Sequence, residues 1–367
     1  MGDTITQQEG QKSKKIKRLI DIVLALALVG GVVIGVKTVM SDMDPIERTK
    51  TSSEEELSSK NSSSAASGDI IYSSELKYNE DVNIGPLIVV NDKNEYKGTD
   101  SDLVSMYDVK DDDGTESYLV MSADVKLHKE AANALNDMLK AFADETKHTD
   151  IVVDGGYRSI DYQQELYDAA EDKESAAKPG YSDYHAGCSI DFGIQEEDDD
   201  TVGDFDGTGD YDWFEKNSYK YGYVVRYPEG KKDSTGYDYR PWHFRYVGKV
   251  HAYYMVKNNL SLEEYVDKLK TFEYTQTHLI FEGDDGQEYE VYYFPSDTSS
   301  DSTMVAVPSE NEYQISGNNS DGFIVSFDKN QKKAAEESKS GEESKDSSAD
   351  EKKDKDNDKS DSSSKSE

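Results

Sequence analysis

The chain has 367 residues, of which 77 are acidic and 41 are lysine or arginine, so its formal net charge is −36. A nucleic acid partner needs a basic surface, and this charge therefore excludes nucleic acid as a ligand. Cys188 is the one cysteine, which excludes an intrachain disulfide and a zinc site built from several cysteines. An ordinary hydrophobic core must therefore stabilise the folded part of the chain.

The amino-terminal segment predicts a membrane anchor. Residues 1–18 form a basic tail, and a largely apolar stretch follows over residues 19–36. As a helix this stretch would be about 27 Å long, close to the hydrocarbon thickness of a bilayer. The alternative is a cleaved signal peptide, but residues 36–40 make a poor cleavage site. We expect residues 19–40 to be an uncleaved single-pass anchor in the cell membrane, with a cytoplasmic amino end and the other domains outside.

Two segments have compositions typical of a disordered chain. Residues 41–69 are rich in Ser and Glu, and we expect them to form a flexible linker. Residues 329–367 consist mainly of Lys, Asp, Glu and Ser. Because they contain no aliphatic residue larger than Ala, burial cannot offset the entropy cost of ordering this tail. Folded structure is therefore expected over residues 70–270 and 271–328.

Residues 70–270 have the pattern of an α+β domain, with helices packed on a small antiparallel sheet. Apolar residues at helical spacing, from Leu127 to Phe142, predict an amphipathic helix over residues 123–146. Two further helices are expected at residues 161–171 and 262–269. Short apolar runs predict strands at residues 84–91, 151–153, 189–193 and 223–227.

Residues 271–328 predict a small β-rich module. Strands expected at residues 278–281 and 289–294 flank a turn rich in Gly and Asp, which is the pattern of a hairpin. Two more strands are expected at residues 304–307 and 323–327. We identify no chemical motif in this module, so the sequence leaves its role open.

Two histidines lie in surroundings that suggest a metal site. His185 precedes Asp191 by a few residues, and His243 follows Trp242 in a second cluster. A zinc hydrolase holds its metal with three nitrogen, oxygen or sulfur ligands and keeps an open position for water, whose pKa falls to about 7. His185, Asp191 and His243 could supply such a set.

These clusters belong to a series of motifs that resembles the VanY-type D-alanyl-D-alanine carboxypeptidases, zinc enzymes that remove the terminal D-Ala from cell-wall stem peptides. The similarity covers residues 85–266 and includes Gly155-Gly156-Tyr157-Arg158-Ser159, Gln163, Ser182, Gly187, Asp191 and Pro241-Trp242-His243-Phe244-Arg245-Tyr246. The resemblance implies the fold of these enzymes, a zinc cofactor and peptidoglycan stem peptide as the partner.

The resemblance also implies roles for individual residues. Asp191 and His243 match metal ligands of the family. Arg158 matches an arginine expected to bind the substrate carboxylate or carbonyl, and a guanidinium group binds a carboxylate through two charge-assisted hydrogen bonds. Neighbouring polar positions of the substrate site correspond to Ser159, Gln163 and Ser182.

Two positions depart from the family motifs S-x-H-x-x-G-x-A-x-D and E-x-W-H. In the first motif, which ends here at Asp191, the family's histidine corresponds to Tyr184, and His185 comes one residue late. In an extended segment that shift turns a side chain to the opposite face, although a β-bulge can restore its direction. In the second motif the general-base glutamate is Arg240, which stays protonated and cannot accept a proton.

Two functions therefore remain open. In the first, the domain is a zinc D,D-carboxypeptidase with an altered site, in which His185 completes the metal set. In the second, the same pocket binds stem peptide or a protein partner without hydrolysis, as a sensor or scaffold. The family resemblance favours the first, whereas Tyr184 and Arg240 favour the second.

Overall fold

The structure is a computed structural model that describes residues 70–99, 102–109, 117–173, 176–196 and 201–333. Its strands are β1 Tyr72–Tyr78, β2 Leu103–Ser105, β3 Leu119–Val120, β4 Lys126–His128, β5 Ile151–Asp154, β6 Ser189–Gln195, β7 Val202–Asp204, β8 Tyr223–Val225, β9 His243–Tyr246, β10 Leu279–Glu282, β11 Glu288–Pro295, β12 Ser302–Pro308, β13 Asn311–Gly317 and β14 Gly322–Lys332. Its α-helices are Met106–Val109, Lys129–Thr146, Ile160–Ala169, Trp213–Asn217, Lys232–Thr235, Lys249–Lys257 and Leu262–Leu269. The fold is thus mixed helix and sheet, as expected.

The central sheet has the strand order β3-β5-β6-β9-β8, and β7 pairs with the outer part of β6. The pair β3 and β5 is parallel, and the other pairs are antiparallel. Three of these strands lie close to the predicted positions, at Ile151–Asp154, Ser189–Gln195 and Tyr223–Val225. The registers bring Asp191 opposite Asp154 on one side and opposite His243 on the other. This alignment positions the candidate site.

The long helix Lys129–Thr146 covers one face of this sheet. Its buried side chains, which include Leu135, Met138 and Phe142, share a core with Ile190 and Phe244 of the sheet. The helix begins later than predicted, because residues 126–128 form β4 and pair with β2. It ends at Lys147, which has a left-handed backbone with φ of 71°.

Side-chain caps define the two shorter helices that the sequence predicts. Helix Leu262–Leu269 begins with a capping box, in which Ser261 accepts from the Glu264 amide and Glu264 accepts from the Ser261 amide. Helix Ile160–Ala169 begins at Ser159, whose hydroxyl accepts from the Tyr162 amide at 3.1 Å. Helix Lys249–Lys257 was not predicted from the sequence.

The strand predicted at residues 84–91 is wrong. Residues 87–91 are buried and Ile84 is exposed, and the segment has no strand ladder beyond an isolated bridge at Asn91. Side chains from distant parts of the chain hydrogen-bond its backbone instead: the Ser316 hydroxyl accepts from the Leu87 amide, and Arg245 donates to the carbonyls of Pro86 and Ile88. Apolar character therefore indicated burial correctly but did not indicate the backbone hydrogen-bond pattern.

The carboxyl-terminal strands form a second sheet with the order β10-β11-β14-β13. The predicted hairpin is present as the antiparallel pair β10 and β11, and the sequence analysis missed β13. A separate pair joins β12 to β1, which comes from the amino end of the described region. Strand β14 continues to Lys332, so residues 329–332 are in a strand, whereas the sequence analysis assigned them to the tail.

A second core joins this sheet to two helices. Met255 of helix Lys249–Lys257 and Tyr265 of helix Leu262–Leu269 belong to the same buried cluster as Leu279, Val291 and Ile324. The residues predicted as a separate module are thus packed against the helices that precede them.

The predicted basic tail, anchor and linker, at residues 1–18, 19–40 and 41–69, lie outside the described residues, as do residues 334–367 of the predicted acidic tail. Within the described ranges, none of the helices has the length and apolar character needed to cross a membrane.

Candidate functional site

Asp191 and His243 form the centre of the site. They face each other on adjacent strands, β6 and β9, where the His243 Nδ1 atom lies 2.6 Å from the Asp191 Oδ1 atom. Both residues are buried, with 8% and 1% of their surfaces exposed. Burial alone would raise the pKa of Asp191, but His243 and Arg158 hold it below its usual value. Asp191 is thus an ionised carboxylate hydrogen-bonded to a histidine.

Tyr184 completes this cluster. Its hydroxyl donates to the Asp191 Oδ2 atom and lies 3.1 Å from the His243 Nδ1 atom. Burial and the Asp191 charge both raise the pKa of Tyr184 well above its usual value, so the phenol keeps its proton. Tyr184, which stands at the sequence position of the family's metal-binding histidine, therefore contacts both Asp191 and His243.

His185 points away from this cluster, which corrects the predicted metal set of His185, Asp191 and His243. Its Nδ1 atom lies 2.6 Å from the Arg158 carbonyl oxygen, and its Nε2 atom accepts from the Gly180 amide at 3.0 Å. Residues Asp183–Ala186 form a 3-10 turn, in which successive side chains are rotated by about 120°. Adjacent residues therefore face different directions, and both ring nitrogens of His185 are used by the backbone.

A buried ionic network supports the turn that carries Tyr184. The Asp183 Oδ1 atom accepts from Arg226 Nε at 3.0 Å and from Arg245 Nη1 at 2.6 Å, and the Ser189 hydroxyl donates to Asp183 Oδ2. Burial would raise the pKa of Asp183, but the two guanidinium groups hold it well below its usual value. An Asp183 carboxylate oxygen also lies 3.5 Å from the His243 Nε2 atom. The network therefore positions both the turn that carries Tyr184 and the His243 ring.

This network was not predicted from the sequence. A signal was present, because Arg226 follows Val224-Val225 and Arg245 lies between Phe244 and Tyr246. Arginine within apolar strand sequence implies a buried carboxylate partner. The identity of that partner could not be read, because Asp183 is distant in sequence from both arginines.

Arg158 lies beside the cluster, as its predicted role requires. Its guanidinium carbon is 3.6 Å from the centroid of the Tyr184 ring. Among the described residues, no carboxylate forms an ion pair with it. The group is therefore available to an anionic ligand, and it is held in place by the aromatic face beneath it.

The other predicted substrate residues have structural contacts. Ser159 caps helix Ile160–Ala169, and Gln163 is buried and donates to the Ala177 carbonyl at 2.9 Å. Ser182 is also buried, and its carbonyl accepts from the His185 amide at 3.0 Å. These contacts fasten helix Ile160–Ala169 and the turn Asp183–Ala186.

Arg240 occupies the position of the general base. Its guanidinium carbon lies 4.7 Å from the Tyr237 ring centroid and 5.4 Å from that of Tyr227, and the Tyr227 ring stacks on His243 at 5.1 Å. The nearby Asp238 is exposed and pairs with Lys232 at 2.7 Å. No carboxylate therefore takes the place of the missing base in this segment.

The donor set does not fit a zinc ion. A zinc site needs at least three protein ligands, with anionic or neutral lone pairs directed at the metal. Asp191 and His243 are suitable, but the third position is a protonated phenol that donates to Asp191. The described part of the chain contains no group of three or more His, Cys, Asp or Glu side chains that could hold a metal.

Comparisons with known proteins identify the relatives of this chain. The family model "VanY: D-alanyl-D-alanine carboxypeptidase" matches residues 124–249. The chain is 34% identical over 249 residues to a D-alanyl-D-alanine carboxypeptidase of Enterococcus faecium, across 67% of this chain and 76% of the relative. It is 35% identical over 155 residues to the bifunctional D-Ala-D-Ala dipeptidase and D-Ala-D-Ala carboxypeptidase VanXYC of Enterococcus gallinarum, across 40% of this chain and 80% of the relative.

A solved structure supports the fold. The chain is similar to the vancomycin resistance D,D-dipeptidase VanXYg, solved in complex with a D-Ala-D-Ala phosphinate analogue. The TM-score is 0.61 and the identity 29%, and the match covers 70% of this chain and 99% of that structure.

Proposed function

The chain belongs to the VanY family of D-alanyl-D-alanine carboxypeptidases, and we propose that it acts on the D-Ala-D-Ala ends of peptidoglycan stem peptides. The observation that carries this proposal is Arg158, whose guanidinium group lies on the Tyr184 ring beside the Asp191–His243 pair and forms no ion pair with a carboxylate of the described residues. A stem peptide ends in a free carboxylate, and a guanidinium group binds a carboxylate through two charge-assisted hydrogen bonds.

Release of the terminal D-alanine is the function that the family membership supports. A relative named D-alanyl-D-alanine carboxypeptidase is 34% identical over most of its length. Of the family's chemical positions, this chain keeps Asp191, His243 and Arg158 in one place. A carboxypeptidase of this class would use them to bind the peptide next to the scissile bond.

Binding of the same peptide without release is the second candidate, and a specific observation favours it. Tyr184 stands where the family has a metal-binding histidine, and Arg240 stands where it has the base. Loss of acid–base help alone lowers a rate by about 10²–10⁴. In this candidate the chain is a sensor or scaffold that recognises uncleaved stem peptide.

We further propose that the protein faces the cell wall from the cell membrane. The basic residues 1–18 and the apolar residues 19–40 support an anchor with its amino end in the cytoplasm. The Ser- and Glu-rich residues 41–69 would then be a spacer between the membrane and the folded domains. Fractionation of cells that express the full chain tests this: it should sediment with membranes, and a variant lacking residues 1–40 should not.

A peptide assay tests the proposed function. The purified full-length chain is titrated calorimetrically with a pentapeptide that ends in D-Ala-D-Ala, and released D-alanine is measured in the same samples. Binding with release supports the first candidate, and binding without release supports the second. The matched control is the same peptide with a carboxyl-terminal amide, which should not bind. Absence of binding to both peptides would refute the proposed function.

A further inference from the structure

We propose that this pocket recognises its carboxylate ligand without a metal ion, with Tyr184 in the metal's place and Arg158 and Arg240 supplying the positive charge. The proposal rests on the stem-peptide function given above and specifies how this chain's own residues carry it out. It follows from three features of the described structure, namely the contacts of Tyr184, the surroundings of Arg240 and the charge balance of the site.

The contacts of Tyr184 use the atoms that would otherwise bind a metal. The Tyr184 hydroxyl donates to Asp191 Oδ2, and Asp191 Oδ1 lies 2.6 Å from His243 Nδ1. The hydroxyl is also 3.1 Å from that same nitrogen. The polar atoms of the three side chains thus satisfy one another, and a metal ion would have to break these hydrogen bonds to gain two ligands. Two ligands are fewer than a zinc site needs.

Arg240 is held close to this cluster by aromatic rings. Its guanidinium group lies over Tyr237 and Tyr227, and Tyr227 stacks in turn on His243. Its charge also acts on Tyr184, whose pKa it lowers against the larger effects of burial and Asp191. Among the described residues, Arg240 has no ion-pair partner. A half-buried guanidinium group without a carboxylate partner is suited to an anionic ligand.

The two departures from the family motifs, at Tyr184 and Arg240, together leave the net charge of the site unchanged. A zinc dication beside a glutamate base has the same net charge as a single arginine. Replacing the glutamate by Arg240, in a site that excludes zinc, therefore preserves the positive potential that attracts a carboxylate. Arg158 lies over the Tyr184 ring, and Arg240 reaches the same cluster through Tyr227 and His243, so two guanidinium groups lie near the phenol.

Zinc content provides the first test. Zinc bound to the purified full-length chain is measured by mass spectrometry after equilibration with zinc and removal of free metal. The His243→Ala variant is measured in the same way, and its zinc content is subtracted as background. We expect almost none in wild type or in Tyr184→Phe. The Tyr184→His variant should bind close to one zinc per chain, because imidazole restores a third ligand. Stoichiometric zinc in wild type, or a folded but metal-free Tyr184→His variant, would overturn the proposal.

Peptide binding in the presence of EDTA provides the second test. Wild type should bind the D-Ala-D-Ala pentapeptide as tightly with EDTA as with added zinc. Arg240→Gln should weaken binding by about tenfold or more, which is the effect of losing a charged hydrogen bond. The matched control is Lys232→Gln, which removes an exposed charge paired with Asp238 and should leave affinity unchanged. Zinc-dependent binding, or an unaltered affinity in Arg240→Gln, would contradict the proposal.

The two tests separate this inference from the proposed function. If the chain bound no peptide under any condition, the stem-peptide function would fail. The zinc contents of wild type and Tyr184→His would still decide whether Tyr184 has replaced the metal. Conversely, peptide binding that required zinc would support the function and refute the metal-free site.

Discussion

Replacing Asp183 by Asn removes one carboxylate charge from the most buried ionic network in the described structure. Asp183 accepts hydrogen bonds from Arg226 at 3.0 Å and from Arg245 at 2.6 Å, and all three side chains are at most 1% exposed. Asn has nearly the same shape but no charge. The substitution therefore leaves the packing almost unchanged and removes the charge together with one acceptor oxygen.

The two arginines keep different hydrogen-bond acceptors in Asp183→Asn. Arg226 keeps Glu263, which accepts from its two terminal nitrogens at 2.9 and 2.6 Å. Arg245 keeps only carbonyl acceptors among the described residues, those of Pro86, Ile88 and Tyr246. Removing one partner of a buried ion pair costs about 3–5 kcal/mol. Because Arg226 remains paired, we expect the lower end of that range, about 3 kcal/mol.

Urea unfolding at pH 7, followed by circular dichroism, measures this loss. The matched control is Asp238→Asn, which breaks an exposed pair with Lys232 and should change the free energy of unfolding by less than about 0.5 kcal/mol. A loss below about 1 kcal/mol for Asp183→Asn, with an unchanged m-value, would refute the assigned role of Asp183.

The pH dependence gives a second check on Asp183. Its folded-state pKa lies well below the usual value, so its carboxylate stabilises the fold above the unfolded-state pKa of about 3.9. That stabilisation is lost as the pH falls through the folded-state pKa. The difference in stability between wild type and Asp183→Asn should therefore be constant above about pH 5 and shrink in stronger acid.

Three further substitutions test separate parts of the structure. Arg158→Ala should weaken pentapeptide binding about 10- to 100-fold in calorimetry through loss of charge-assisted hydrogen bonds, and an unchanged affinity would exclude Arg158 from the site. Burial lowers the pKa of His251 to about 3. As the pH falls below about 6.5, this histidine is therefore protonated in the unfolded state before it is protonated in the folded state. The free energy of unfolding of wild type should fall by about 1.4 kcal/mol per pH unit between pH 6 and 4. His251→Phe should lose that part of the slope in urea unfolding, and a pH profile parallel to that of wild type would contradict this assignment. Gly222 has φ of +84°, and an added Cβ would lie 2.7 Å from the Tyr246 ring; Gly222→Ala should therefore cost about 1–3 kcal/mol, and a change within about 0.5 kcal/mol would show that no strain exists.

Local signals in the sequence located several elements of the fold. Helix Leu262–Leu269 was predicted with its observed bounds, and the capping box found at its start is a local signal of the same kind. Strands β5, β6 and β8 were found from short apolar runs, whereas β9, which carries His243, was not predicted. The segment at residues 84–91 has the same apolar character but no strand, because Ser316 and Arg245, both remote in sequence, satisfy its backbone. Side chains so far apart in sequence could not be paired in advance.

The site was predictable only in part for a similar reason. The motifs pointed to Asp191 and His243, and the strand register does bring them together. The direction of Tyr184 and His185 depended on whether their segment is extended or a 3-10 turn, and one residue of sequence does not decide between these. The charge network around Asp183 connects residues from three distant segments, so it became visible only in the folded chain.

The most direct test of the central claim is D-alanine release from the pentapeptide by wild type and by the Tyr184→His/Arg240→Glu double variant, with zinc present. Tyr184 and Arg240 stand in place of a metal ligand and of the general base. We predict that wild type binds the peptide but releases D-alanine at least about 100-fold more slowly than the double variant. Release by wild type that a chelator abolishes would contradict the account.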